Sequence, residues 1–188
     1  MREDTIKTLQ AAIVIIVTLS GCNDLGDPYT PPRIVPGISI DGIRVGVSQA
    51  NARAVLGNPD GGGFWDGVRS AGIMDLWETG PHAGLKLFYN SYFVNNTEEY
   101  GPVDYIAAGE PFEGTTAEGI GIHSRIESIL RAYPLPSYRS IDSAGSGILV
   151  YCVSGKYCIF SLTDSLTIFI GMGYNDPPKP GDFPFYCP

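Results

Sequence analysis

Apolar and polar positions follow three regimes along this chain. From Ala11 to Leu19 the residues form an almost unbroken apolar run, too short for the roughly 20 residues that a membrane-spanning helix needs. A charged start (Arg2, Glu3, Asp4, Lys7) precedes the run and Leu19-Ser20-Gly21-Cys22 closes it, the layout of an export signal with a cleavage site, residues 1–21. Residues 22–37 hold Pro28, Pro31, Pro32 and Pro36, and residues 175–188 hold five more prolines. Neither stretch suits a helix or a central strand, and the first reads as a stiff tether.

Between these stretches the pattern switches twice from helical to strand period. Ala52, Val55 and Leu56 make one i, i+3, i+4 stripe, and Ile126, Ile129 and Leu130 make another. Ser48 is placed to cap the first helix, and Ser124 with Glu127 to form a capping box for the second. Gly57-Asn58-Pro59 and Pro134-Leu135-Pro136 stop them. After the first helix, runs rich in β-branched and aromatic residues predict strands at Ile73 to Glu78, Leu85 to Asn90 and Val103 to Ala107. After the second they fall at Ile148 to Val153, Tyr157 to Leu162 and Leu166 to Ile170. The two sets overlay with Gly42 on Gly119 and Ile43 on Ile120. A short helix with three strands closes its own core poorly. The expected fold is therefore α+β, with two tandem helix-plus-three-strand repeats, residues 38–110 and 111–174, sharing one antiparallel sheet with the helices on one face.

Two phrases resemble known families. Leu19-Ser20-Gly21-Cys22 matches the lipobox of bacterial lipoproteins at every position. The resemblance implies that Cys22 becomes the first mature residue and carries a diacylglycerol thioether, with each buried CH₂ of its acyl chains adding about 0.8 kcal/mol to anchoring. Asn23, rather than Asp, follows it, which in the family's sorting scheme points to the periplasmic face of an outer membrane. The phrase Gly42-Ile43-Arg44-Val45-Gly46-Val47-Ser48 to Leu56-Gly57-Asn58-Pro59, with its partner from Gly119 to Pro134, resembles the tandem-repeat fold of the β-lactamase inhibitor protein and of the small outer-membrane-assembly lipoproteins of the SmpA/OmlA type. Members of this group bind other proteins or scaffold envelope complexes, so the resemblance implies a protein partner in the envelope.

Composition narrows the choice further. The 188 residues include 12 Lys plus Arg against 20 Asp plus Glu, a net charge of −8. That leaves no basic surplus for a nucleic-acid partner. With Cys22 lipidated, Cys152, Cys158 and Cys187 remain in a compartment where disulfides persist. A tight turn at Ser154 to Lys156 would set Cys152 opposite Cys158 on a hairpin. The alternative is that Cys187 pins the tail to one of them and leaves the other as a small buried hydrophobe. Metal ligation is disfavoured, since the three thiols have neither CxxC spacing nor a neighbouring His.

Catalytic chemistry is hard to find. His82 and His123 lie at a turn and at a helix start, where surface or capping roles are the simplest account. No Gly-x-Ser-x-Gly elbow, zinc-binding His-Glu-x-x-His or Walker loop occurs. Asp60-Gly61-Gly62-Gly63 lacks the Lys-Ser/Thr of a phosphate cradle and reads as a mobile loop. The expectation is a protein without enzymatic activity, cofactor or metal. Aromatic residues are the stronger signal, with Tyr alone supplying 11. Trp65, Trp77, Tyr89, Tyr92, Tyr105, Tyr151 and Tyr157 lie on or beside predicted strands, and on an open sheet face they would form a platform for a protein partner. Filling the core is the bland alternative for each. A second functional reading is a small carbohydrate-binding or hydrolytic domain using the Asp60 to Asp66 loop and nearby aromatics, with paired carboxylates such as Glu98-Glu99 or Asp104.

Overall fold

The computed structural model describes residues 33–66, 71–94 and 97–174, without the side chains of 66, 71, 92–98 and 174. The export signal, Cys22, most of the tether and the C-terminal tail lie outside the described residues. The chain opens with a small hairpin of β1 (Ile34–Val35) and β2 (Ser39–Ile40), followed by helix α1 (Gln49–Leu56). A four-strand meander comes next, formed by β3 (Gly61–Asp66), β4 (Ala71–Trp77), β5 (Leu85–Val94) and β6 (Thr97–Gly109). Helix α2 (Ile126–Ala132) then leads into a second meander of β7 (Tyr138–Ile141), β8 (Gly147–Val153), β9 (Lys156–Thr163) and β10 (Leu166–Tyr174). Both meanders join in one eight-stranded antiparallel sheet of order β3-β4-β5-β6-β10-β9-β8-β7. Their last strands meet at its centre, with Ala107 opposite Gly171 and Tyr105 opposite Gly173.

The molecule is thus mostly β. The expected α+β architecture, with three strands per repeat and helices laid on one face, is not what forms. Two physical causes account for the difference. The helices are only eight and seven residues long and bury two side chains each, Ala52 and Leu56 in α1, Ile126 and Ile129 in α2. Much of the remaining cover over the apolar face comes from irregular segments and the β1–β2 hairpin, through Ile34, Ile40, Ile43, Val45, Phe112 and Ile120. The sheet also gains two strands that alternation does not announce. β3 begins with three glycines and β7 reads Tyr-Arg-Ser-Ile. The stretch expected to be a mobile loop at Gly61 to Gly63 is part of an edge strand, and Gly62 is required there, because a Cβ would stand 2.5 Å from the Met74 carbonyl oxygen.

Local signals otherwise act largely as expected. Ser48 caps α1 by accepting from the Asn51 N–H, and Gly57 ends it with φ 81°. The capping box of α2 does not form. Ser124 Oγ instead accepts from the Gly121 N–H at 2.9 Å, and the helix starts without a side-chain cap. Gly42 and Gly119 hold corresponding turns in the left-handed region, at φ 79° and 75°, each followed by a buried isoleucine, Ile43 and Ile120.

Strand alternation divides the side chains cleanly. Leu85, Leu87 and Tyr89 of β5, Ile106 and Ala108 of β6, Ile170 and Met172 of β10, Cys158 and Phe160 of β9 and Leu149 and Tyr151 of β8 all join one buried core. Burial of each large aliphatic or aromatic side chain is worth about 1.5–3 kcal/mol. The opposite face has no counterpart of the α1, α2 and hairpin cover among the described residues, and the candidate site lies there.

Candidate functional site: an aromatic row on the open sheet face

Five aromatic side chains cross this second face from β3 to β9. Trp65 meets Phe88 edge-on with centroids 5.3 Å apart, and Phe88 leans on Tyr105 at 5.5 Å. Tyr105 in turn contacts Phe169 at 6.1 Å and Tyr157 at 6.3 Å. These spacings fall in the range where aromatic pairs add about 0.5–1.5 kcal/mol beyond area burial. Met74 and Leu76 of β4 stand on the same face, half-buried beside the Trp65 end.

Two glycines of β10 make the row possible. A Cβ at Gly171 would meet the Tyr105 hydroxyl at 1.8 Å, and one at Gly173 would meet the Tyr157 hydroxyl at 2.4 Å. Glycine leaves room for both tyrosines to lie across the strand. Burial pushes the Tyr105 hydroxyl well above its ordinary pKa, reinforced by its neighbours Tyr157 and Cys158. Tyr105 therefore stays neutral at any physiological pH.

The β3 end also holds unused hydrogen-bonding capacity. Trp65, Gly72 and Asn90 align across β3, β4 and β5. Among the described residues neither the buried Trp65 indole N–H nor the buried Asn90 Oδ1 has a hydrogen-bond partner, and a buried unsatisfied group costs about 1–3 kcal/mol.

Three of the aromatic candidates face the other way. Trp77 is 3%, Tyr89 0% and Tyr151 9% exposed, all inside the core. Trp65, Tyr105 and Tyr157 are in the row, while the Tyr92 side chain lies outside the described residues. Phe88 and Phe169 also join the row and lie outside a candidate set drawn from Trp and Tyr alone. Phe88 was legible as the residue out of phase with Leu85, Leu87 and Tyr89.

The hairpin disulfide expected between Cys152 and Cys158 is absent, because Cys158 is a free, fully buried thiol while Cys152 is disulfide-bonded. Alternation explains this. Cys158 points into the core beside Tyr151 and Phe160, and Cys152 points to the open face. Burial drives the Cys158 thiol pKa up to about 12, only partly offset by a bond from the Gly37 backbone N–H.

Among the described residues carboxylates do not converge on an aromatic pocket. Asp60 accepts from the Glu78 and Thr79 N–H groups and the Thr79 hydroxyl, which lowers its pKa. Asp75 is buried against Arg53, at 2.6 and 2.9 Å, with Tyr89 donating to it at 3.1 Å. Asp41 is clasped by Arg33 at 2.7 Å through two nitrogens and contacted by His82 Nδ1. His123 is exposed, 3.9 Å from Glu110. Among the described residues no three His, Cys, Asp or Glu side chains gather as a metal site. The Asp66 and Glu98 side chains lie outside the described residues.

One groove of about 350 Å³ opens on the core side at the β8 end, lined by Ile34, Tyr133, Leu135, Tyr151, Val153 and Phe160 among others. Its charged residue, Glu118, accepts from the Tyr133 hydroxyl.

Comparison with protein-family models, with characterised proteins and with solved structures finds no match. The resemblances to lipoproteins and to the inhibitor and assembly-factor fold therefore rest on the sequence phrases that carry them.

Proposed function

We propose that this protein is a lipid-anchored module of the cell envelope that binds another protein through the open aromatic face of its sheet, as an adaptor, assembly factor or inhibitor. The observation that carries this is the row Trp65, Phe88, Tyr105, Phe169 and Tyr157, continuous over β3, β5, β6, β10 and β9. Aromatic side chains dominate binding energy at protein interfaces because they bury large area with few rotors to freeze. The net charge of −8 favours a partner with a basic rim. Cys22 holds the module at a membrane surface through its lipid, on the periplasmic side of an outer membrane.

Crosslinking in intact cells, affinity purification and mass spectrometry test this, with Cys22→Ala as the anchor control and the double variant Trp65→Ala/Phe88→Ala as the face control. One envelope protein enriched with the native chain and lost from both controls is the expected result. Equal recovery of every protein with the double variant, folded by circular dichroism, would overturn the role of the face. A mature N-terminus without lipid on Cys22 would overturn the anchor.

A further inference from the structure

The two edges of the sheet are built differently. β7 guards its edge, since it is four residues long, carries an exposed Arg139 and follows Pro134 and Pro136. β3 does not. Gly61 to Trp65 hold no charge, no proline and no bulge against β4, and among the described residues no strand pairs with their outer side. Gly62 and Gly63 are exposed, and Phe64 stands 68% exposed opposite Ile73. Outward-facing N–H and C=O groups with an apolar ring beside them form a template for one more strand. We propose that this strand is β3 of a second copy of the chain, running antiparallel about a two-fold axis at Gly63, so that two sheets join edge to edge.

The sequence of β3 sets both the occupant and the register. Opposed residues of an antiparallel pair share a face. Two copies with their open faces on the same side must therefore oppose odd positions to odd and even to even, which puts the axis on a residue rather than between two. Centred on Gly63, the pairing opposes Trp65 to Gly61 of the second copy on the open face, and Phe64 to Gly62 of the second copy on the other face. Each ring then lies over a glycine. The middle of the sheet already uses this pairing, because Gly173 is opposed by Tyr105 on one side and by Tyr157 on the other. β3 supplies both the rings and the glycines that receive them, so it complements itself. Asp60, just before the paired stretch, turns its carboxylate inward to the Glu78 and Thr79 N–H groups and does not charge the edge.

The paired stretch, residues 61–65, is short beside the roughly 20–30 residues a side of a stable interface, so the association is reversible. Its axis is perpendicular to the sheet and leaves both open faces free. The two aromatic rows meet through their Trp65 ends, which offers a partner two equivalent rows. The inference rests on the β3 edge and not on the lipid anchor or the partner proposed above.

Disulfide trapping in the full chain tests the register. A Cβ at Gly63 or at Gly61 would stand in open space, so Gly63→Cys and Gly61→Cys are both accommodated. The two positions 63 face each other at the axis with Cα atoms about 4.5–5.5 Å apart, within disulfide reach. The two positions 61 are four residues apart along the strands, about 14 Å, and beyond it. Tryptic fragment 54–69 contains none of the native cysteines, so its linkage to itself is read directly by mass spectrometry. That linkage should form at least tenfold faster in Gly63→Cys than in Gly61→Cys. Equal rates in the two variants, or no linkage in either, overturn the proposal. Linkage of position 63 to a different envelope protein in intact cells overturns it in favour of strand addition by a partner. Sedimentation of the native chain gives a check without a new thiol. A reversible monomer–dimer equilibrium is expected, weakened at least tenfold by Phe64→Lys, which alters an exposed site and keeps Trp65 and Phe88. A native chain that stays monomeric at every concentration, or a Phe64→Lys chain, folded by circular dichroism, that associates as tightly as the native one, sinks the pairing.

Discussion

The two meanders share one sheet but attach their cover by different chemistry. In the first, Arg53 of α1 holds Asp75 of β4 with two bonds, while Tyr89 donates to the same carboxylate and Gln49 lies 3.4 Å away. In the second, the cover is apolar and aromatic. Tyr133, just after α2, stacks on Phe160 at 6.1 Å, and Tyr151 meets both rings edge-on at 5.7 Å. An ion pair fixes orientation yet gains little net energy, because desolvation offsets attraction. Packed rings contribute through area and dispersion. The second meander should therefore hold most of the stability, while the first holds its helix in a defined place beneath the Trp65 end of the open face.

The sharpest way to break this contrast is Phe160→Ala. The side chain is fully buried between two rings, so its removal should destabilise by about 3–5 kcal/mol. Urea unfolding checks it, and a loss under about 1.5 kcal/mol would mean that the aromatic cluster is not the anchor of its half.

Arg53→Met should cost about 2–3 kcal/mol, less than a fully buried pair because the Arg53 side chain is 39% exposed. The informative variant is Arg53→Met with Asp75→Leu. If the pair serves orientation rather than stability, the double variant is more stable than Arg53→Met alone. A double variant that loses the sum of both singles would show that the ions are the main support.

Acid should weaken the molecule through carboxylates whose pKa values are lowered on folding. For Asp41, burial alone would raise the pKa, but the bonds and charges of Arg33 and His82 outweigh it and the net shift is downward. The Tyr133 hydroxyl lowers Glu118, and the Thr79 and Glu78 backbone lowers Asp60. A group with a depressed folded pKa contributes stability that is complete above its unfolded value, about 3.9 for Asp and 4.3 for Glu, and is lost as pH falls through the folded value. Tm should therefore be level from pH 7 to about 5 and fall below about 4. Asp41→Asn should lower Tm at pH 7 and flatten the acid limb. An equally steep limb in that variant would place the linkage elsewhere.

How much of this was readable beforehand depended on whether a property is local. The Ser48 cap and the buried positions Ala52, Leu56, Ile126 and Ile129 of the two helix stripes are encoded within a few residues and appear, whereas Val55 of the first stripe is exposed. β3 was hidden because Gly61 to Gly63 carry the composition of a loop, and only the nearness of the Met74 carbonyl shows why a strand needs glycine there. β7 was hidden because an edge strand of Tyr, Arg, Ser and Ile has little to bury. The sorting of seven aromatic candidates onto two faces depended on register, since a shift of one residue exchanges the faces. For the same reason Cys152 and Cys158, adjacent on neighbouring strands, point to opposite sides and do not pair. The Asp75 network joins residues 22 and 14 positions apart in sequence, and no local pattern announces it.

The finest probe of the contrast is the Cys158 thiol. It is fully buried in the second meander with a pKa pushed up to about 12, so at pH 8 the folded protein should react with iodoacetamide only when that half opens. Labelling then reports opening of the second meander alone, and each 1.4 kcal/mol of destabilisation that reaches it should accelerate labelling tenfold. Phe160→Ala should speed labelling at least a hundredfold. Arg53→Met, in the other half, separates two cases. If the shared β6–β10 seam makes the sheet one cooperative unit, labelling accelerates by the factor that its own urea-measured loss demands. If the halves open independently, labelling stays at the native rate despite that loss. The seam pairs five residues of each strand, Tyr105 to Gly109 with Phe169 to Gly173, and Tyr105 contacts rings on both sides of it. A single cooperative unit is therefore the expected outcome, in which case the ionic and aromatic anchors differ in strength but not in what their loss unfolds.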